Sequence, residues 1–176
     1  MLSLAGIRLE VFGEDNIPTN AKFCIVANHQ SYFDIPTLLV VLPYTLHFVA
    51  KKELLKIPFI RTWMLLMGCS FIDRKNRREA FEVYSKEIMK INADRTLILF
   101  PEGTRGEDEA VGRFKPLALR RFMEAGVALL PISIQGTYHC YEANKKIQSG
   151  IVNVHVHPVI TELTDVEEIR NTIAGA

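Results

Sequence analysis

A chain of 176 residues, 48% hydrophobic and 23% charged, is long enough for one buried core and too short for several. Its formal net charge of +1 counts against a nucleic-acid binder, which presents a strongly basic face, and leaves only local patches such as Arg74-Lys75-Asn76-Arg77-Arg78. Three widely spaced cysteines (Cys24, Cys69, Cys140), two of them in apolar runs, fit buried free thiols of a reducing compartment better than a disulfide frame or a metal site.

The start, Met1-Leu2-Ser3-Leu4-Ala5-Gly6-Ile7-Arg8, has neither the basic region nor the long apolar region of a signal peptide. Apolar runs predict strands at 7–12, 23–27, 46–49, 69–73, 96–100, 128–134 and 151–157. Most of these runs are continuous rather than alternating, which suits strands covered on both faces, as in a largely parallel sheet. Helices fall between them, at about 35–42 and 58–67. A third is capped by Asn76 with Glu79 three residues on, and carries the stripe Phe81, Tyr84, Ile88, Ile91. A fourth opens at Pro116 and ends at Gly126, and a last one lies near 165–173. The expectation is an α/β fold, a largely parallel central sheet of about seven strands flanked by helices, as a single domain over 1–176. No stretch reads as a membrane span. Residues 35–50 fall short of the roughly 18–20 needed and contain Pro36 and Pro43, and residues 57–72 contain Arg61 and Gly68.

Two short motifs carry chemistry. The first is Asn28-His29-Gln30-Ser31-Tyr32-Phe33-Asp34, at the exit of the second strand. On one regular helix His29 and Asp34 would lie about 140° apart. They meet only if a helix starts between them, with Ser31 as its cap and Pro36 in its first turn. Asp34 would then hold one ring nitrogen of His29 and leave the other to accept a proton. A capping Asp beside an incidental His is the bland alternative. The second motif, Phe100-Pro101-Glu102-Gly103-Thr104-Arg105, runs from a strand into a flexible turn with a guanidinium, which suits a phosphate or oxyanion. Glu102 would repel a phosphate, so its expected part is to accept a hydroxyl hydrogen bond or brace an arginine; an ordinary surface turn is the alternative. Gly68-Cys69-Ser70-Phe71-Ile72-Asp73-Arg74 places Arg74 at another strand end, where ligands of open α/β sheets collect. Pro131 inside a buried strand marks a start, bulge or edge. His47, His139, His155 and His157 read as strand or loop residues without partners.

These segments, in this order, resemble the four motif blocks of the glycerolipid acyltransferases, and most closely the lysophosphatidate (1-acylglycerol-3-phosphate) acyltransferases. The matching residues are Asn28-His29-Gln30-Ser31 with Asp34, Gly68 with Phe71-Ile72-Asp73-Arg74, Phe100 to Arg105, and Leu130-Pro131-Ile132, with Ala50-Lys51-Lys52-Glu53-Leu54 and Ile57-Pro58-Phe59 alongside. The resemblance implies transfer of a fatty acyl group to the sn-2 hydroxyl of lysophosphatidate, from a thioester of coenzyme A or acyl carrier protein as co-substrate. No bound cofactor, metal or nucleic acid is implied. His29 would be the general base and Asp34 its orienter. Arg74, Glu102 and Arg105 would bind the glycerol phosphate end, with Gly103 and Thr104 shaping the turn. Many members carry N-terminal membrane helices, which are expected to be absent or removed here, and the family's glycine shortly after Phe114-Lys115-Pro116 is Leu117.

The chemistry makes sense beside the resemblance. A thiolate, with a pKa of about 8.5 by analogy with Cys, leaves unaided. The acceptor alcohol needs one positioned base, worth roughly 10²–10⁴-fold. Direct attack needs no acyl-enzyme, and Ser31 is better used as a cap than as a nucleophile. The segment 51–61 mixes Lys51, Lys52, Lys56 and Arg61 with Leu54, Leu55, Ile57, Pro58 and Phe59, and Trp63 follows. That composition suits interfacial binding to anionic lipid, and the expectation is peripheral attachment on the cytoplasmic side of a membrane; a core helix with a basic rim is the alternative. The alternatives are acylation of another lysophospholipid or of glycerol-3-phosphate, a thioesterase, or a non-catalytic lipid-binding domain. Absence of a Gly-x-Ser-x-Gly elbow counts against a lipase or thioesterase of that type.

Overall fold

The computed structural model describes residues 2–19, 22–73, 75–92, 94–106, 108–162 and 164–176. Across these residues seven strands form: β1 (Ile7–Phe12), β2 (Phe23–Ala27), β3 (Thr45–Lys51), β4 (Ser70–Ile72), β5 (Arg95–Leu99), β6 (Ala128–Gln135) and β7 (Gly150–Val156). They make one sheet in the order β1-β7-β6-β2-β5-β3-β4. Among the described pairings β6–β7 is antiparallel and the other five are parallel, so the expected largely parallel sheet is present. Six helices flank it: α1 (Asp34–Val41), α2 (Pro58–Leu66), α3 (Arg77–Lys90), α4 (Pro116–Glu124), α5 (Thr137–Cys140) and α6 (Val166–Ala174).

The continuous apolar runs are explained by two cores, one on each face. Phe23, Ile25 and Ala27 of β2 point into one core with Leu38, Met64, Ile98, Leu130, Ile132 and Ile134. Cys24 and Val26 point the other way, against Leu97, Leu99, Leu119, Phe122 and Ile169. Alternation along a strand sends successive side chains to opposite faces, so a strand covered on both must be apolar throughout. All five β2 residues are buried. Cys24, Cys69 and Cys140 are free, buried thiols, and burial pushes the Cys69 thiol up to about 11.

Local chemistry sets the boundaries. Asn76 accepts the Glu79 N–H at 3.1 Å and starts α3, as its sequence suggests. Across Pro131 the register slips by one residue, from Leu129 opposite Ile160 to Ile132 opposite Val156, so the proline occupies a bulge where its missing N–H costs no ladder bond. Helix α5 was not foreseen. It follows Gly136, at φ +88°, where a Cβ would lie 2.4 Å from the Ile151 carbonyl oxygen.

The reading of His47 as an unpartnered strand residue is corrected. His47 Nε2 lies 2.9 Å from Glu87 Oε2, and both side chains are fully buried between β3 and α3. Glu87 also accepts from Ser70 Oγ at 2.6 Å and Lys90 Nζ at 2.5 Å. Burial alone would raise the Glu87 carboxyl, but the hydrogen bonds from His47, Lys90 and Ser70 outweigh it and bring it down to about 2. Likewise His139 contacts Glu109 at 2.8 Å, His157 contacts Ser133 Oγ at 2.7 Å, and His155 stacks on Phe12 at 4.6 Å.

Candidate active site at the carboxyl ends of β2 and β5

β2 and β5 are neighbours in the sheet, with Cys24, Ile25 and Val26 opposite Leu97, Ile98 and Leu99. Both motifs therefore leave the sheet side by side at its carboxyl edge, where an open α/β sheet places its ligands. Asn28 anchors the first. Its amide donates to the Ile134 carbonyl and accepts the Ile134 N–H, both at 2.8 Å, like an extra rung to β6.

His29 Nδ1 lies 2.7 Å from Asp34 Oδ2. The same oxygen accepts the N–H groups of Gln30 at 2.7 Å and Ser31 at 2.8 Å, while Oδ1 accepts from Thr137 Oγ1 at 2.6 Å. Asp34 is thus a completely buried carboxylate with four donors aimed at it. An acceptor-only partner fixes the proton of His29 on Nδ1 and leaves the Nε2 lone pair available, and Nε2 has no partner among the described residues. The His29 ring lies flat on Phe100, with centroids 4.2 Å apart, and its side chain keeps 17% exposure. Phe100 leaves β5 to do this, which is why that strand ends at Leu99, one residue before the expected end.

The expected Ser31 cap is not formed. Helix α1 begins at Asp34, and Ser31 Oγ accepts the N–H of Phe33 at 3.1 Å in a tight turn. The hydroxyl donates to Glu142 Oε2 at 2.5 Å, and Ser31 is fully buried. It is committed twice and out of reach of a substrate.

The second motif turns beneath His29. Gly103 adopts φ +77°, and its N–H bonds the Phe100 carbonyl at 3.0 Å. A Cβ there would meet the ammonium of Lys115 at 2.7 Å, so this exposed cation lies directly over the turn. Thr104 is exposed on the same turn. Glu102 was expected to accept a hydroxyl or brace an arginine; among the described residues it braces backbone instead. Its Oε1 accepts the His29 N–H at 2.9 Å and its Oε2 the Gly112 N–H at 3.1 Å. Burial pushes the Glu102 carboxyl up, against those two N–H bonds that pull it down. The arginine is held elsewhere. Arg105 NH1 donates to Glu142 Oε1 at 3.0 Å, and its guanidinium lies 3.5 Å from the centroid of Tyr32. Arg74 lies outside the described residues.

Thr137 and Glu142 had no signal in the sequence. Each meets its partner only through tertiary structure, Thr137 being 103 residues from Asp34 and Glu142 37 residues from Arg105. Gln30 was visible inside its motif, but its contact was not: Nε2 donates to the Glu109 carbonyl at 2.6 Å, and Arg170 holds the Val111 and Gly112 carbonyls of the same loop. No group of three or more His, Cys, Asp or Glu side chains among the described residues is placed to hold a metal ion.

A histidine with one nitrogen fixed by a buried carboxylate and the other open can take a proton from an alcohol, water or thiol. Beside it, Arg105 and Lys115 offer positive charge to an anionic substrate. The acyltransferase family model matches residues 8–135. A 1-acyl-sn-glycerol-3-phosphate acyltransferase from Borreliella burgdorferi is 33% identical over 165 residues, covering 92% of this chain and 65% of its own length. The alpha enzyme of the same name from Homo sapiens is 33% identical over 159 residues, covering 89% of this chain and 56% of its own. The crystal structure of a 1-acyl-sn-glycerophosphate acyltransferase, PlsC, from Thermotoga maritima matches with a TM-score of 0.81 and 33% identity, over 98% of this chain and 70% of that one. The chain thus spans between about half and two thirds of the length of these curated relatives.

Proposed function

The chain belongs to the acyltransferase family, and from that premise we propose that it transfers a fatty acyl group from an acyl thioester to the sn-2 hydroxyl of lysophosphatidate, giving phosphatidate. The relatives' names support the acceptor and the reaction class. The donor is a thioester of coenzyme A or of acyl carrier protein. The observation that carries the mechanism is the 2.7 Å contact between His29 Nδ1 and the buried Asp34 carboxylate, with Nε2 left open.

In this reading His29 Nε2 takes the proton as the acceptor oxygen attacks the thioester carbonyl. The tetrahedral intermediate then collapses, the C–S bond breaks, and the thiolate departs with the electron pair. Imidazolium forms 2.7 Å from an anion that is already desolvated and fully hydrogen-bonded, so little reorganisation accompanies the charge. Arg105 pairs with the acceptor phosphate, Gly103 and Thr104 shape the turn around it, and Arg74 belongs to the same acceptor end. Glu102 supports that end from beneath by tying the turn to the His29 backbone. Ser31, buried and doubly bonded, supports direct transfer over an acyl-serine route.

Both substrates carry acyl chains, so the domain works at a membrane surface, attached peripherally on the cytoplasmic side. Phe59 (85% exposed) and Leu66 (83%) project from α2 with Trp63 and Leu65, beside exposed Lys51, Lys52, Lys56 and Arg61. No helix of the described residues is long and apolar enough to cross a bilayer.

Thiol release from acyl-coenzyme A and acyl carrier protein, followed with and without lysophosphatidate, tests the reading. Release that depends on the acceptor, with phosphatidate as product, is expected. Arg105→Ala should raise the KM for lysophosphatidate far more than that for the donor. Equal release without acceptor would make the protein a thioesterase and end the proposal.

A further inference from the structure

The segment 137–142 touches both halves of the site from one side. Thr137, the first residue of α5, donates to Asp34 Oδ1 at 2.6 Å, the carboxylate oxygen that does not face His29. Three residues beyond that helix's start, Cys140 is buried. Two further on, Glu142 is 7% exposed and binds the other half. One of its oxygens takes the Ser31 hydroxyl at 2.5 Å; the other takes the Tyr32 N–H at 3.2 Å and Arg105 NH1 at 3.0 Å. Tyr32 in turn supplies the aromatic face under the guanidinium, 3.5 Å away, and packs edge-on against Tyr141.

We infer that this segment is a positioning strap: Thr137 sets the rotamer of Asp34, and Glu142 sets the direction of the Arg105 guanidinium. The inference rests on the acyl-transfer reading. A guanidinium is a planar fork with five N–H donors, and it recognises a phosphate well only when the fork is aimed. Glu142 takes one of these donors at NH1, and Tyr32 covers one face of the plane. With no side-chain partner for Nε and NH2 among the described residues, the remaining edge is left for an anion. Glu142 is itself rigid because Ser31 Oγ and Tyr32 N–H hold it, so the catalytic loop and the anion turn share one buried anchor. Thr137 plays the matching part for Asp34. A carboxylate with its outer oxygen free could rotate away from Nδ1, and the Thr137 hydroxyl removes that freedom.

Kinetics of Glu142→Gln, Thr137→Val and Thr137→Ser, with calorimetric binding of a short-chain lysophosphatidate in the absence of donor, test the strap. Glutamine keeps the shape and an oxygen for Arg105 but gives up the charge. Glu142→Gln should raise the KM and the Kd for lysophosphatidate about 10-fold while kcat stays within about two-fold. Thr137→Val should lower kcat about 10-fold with KM unchanged, and Thr137→Ser should restore it. A Glu142→Gln protein with unchanged or lower KM and Kd overturns the role of Glu142, a lower value being what a merely competing anion would give. Equal kcat for Val and Ser at position 137 overturns the role of Thr137. Unaltered protein that binds lysophosphatidate without transferring to it still tests Glu142 by Kd. Protein that neither binds nor transfers refutes the acyl-transfer reading and the strap with it.

Discussion

Replacing Asp34 by Asn removes one charge from the site and almost no volume. The carboxylate is fully buried, 2.7 Å from His29 Nδ1, and receives three N–H donors on one oxygen and one O–H on the other. An asparagine can keep this pattern in only one orientation, with its carbonyl in place of Oδ2 and its NH₂ towards Thr137 Oγ1, whose hydroxyl turns to accept. The fold then survives, with charge-assisted hydrogen bonds reduced to neutral ones at about 1 kcal/mol apiece. What asparagine cannot supply is attraction for the imidazolium that forms during proton transfer. Opposite charges about 4 Å apart at an effective dielectric of about 20 are worth about 4 kcal/mol. At 1.36 kcal/mol per tenfold that is a fall of about 10³ in kcat. KM for both substrates should hold, because Asp34 acts through His29 and touches neither. Thiol release at saturating acceptor gives kcat, and thermal unfolding of the same sample shows that the fold is intact. A folded Asp34→Asn protein with kcat within two-fold of the parent would refute electrostatic support of His29.

Two other outcomes follow from the geometry. Glu87, at about 2 in the folded state against 4.5 as an ordinary carboxyl, contributes stability that is present above about pH 4.5 and is lost as the pH falls towards 2. Glu87→Gln should therefore cost about 3 kcal/mol in denaturant unfolding at pH 7 and only about 1 kcal/mol at pH 3; an equal cost at both pH values would contradict a folded-state carboxylate. On α2, Phe59→Ser with Trp63→Ser should weaken sedimentation with anionic vesicles by at least about 10-fold. Salt should weaken binding of the unaltered protein, and indifference to both would place the membrane face elsewhere.

The sheet was legible in the sequence because a strand covered on both faces must be apolar at every position, and β2, buried throughout, falls at its expected bounds; β1 does so too, although as an edge strand it carries Arg8 and Glu10. β3 runs past its expected 46–49 on pairing rather than pattern, with Thr45 opposite Arg95 and Lys51 opposite Ile72. The contact between His29 and Asp34 was readable because five residues of spacing allow it only when a helix opens between them. Why that helix opens was misread: Asp34 itself gathers the Gln30 and Ser31 N–H groups, and Ser31 faces Glu142 instead. Partners far apart in sequence, Glu142 for Arg105 and Glu87 for His47, left no local pattern to find. Helix α5 is too short for periodicity, and only its contacts with Asp34 give it meaning.

The central claim is that His29 Nε2 removes the acceptor's proton. Thiol release dependent on lysophosphatidate, measured for His29→Ala beside the unaltered protein, tests it most directly, with unfolding temperature and lysophosphatidate binding as controls. In His29→Ala kcat should fall by roughly 10²–10⁴-fold with acceptor binding nearly intact. Undiminished transfer by the folded variant would contradict it.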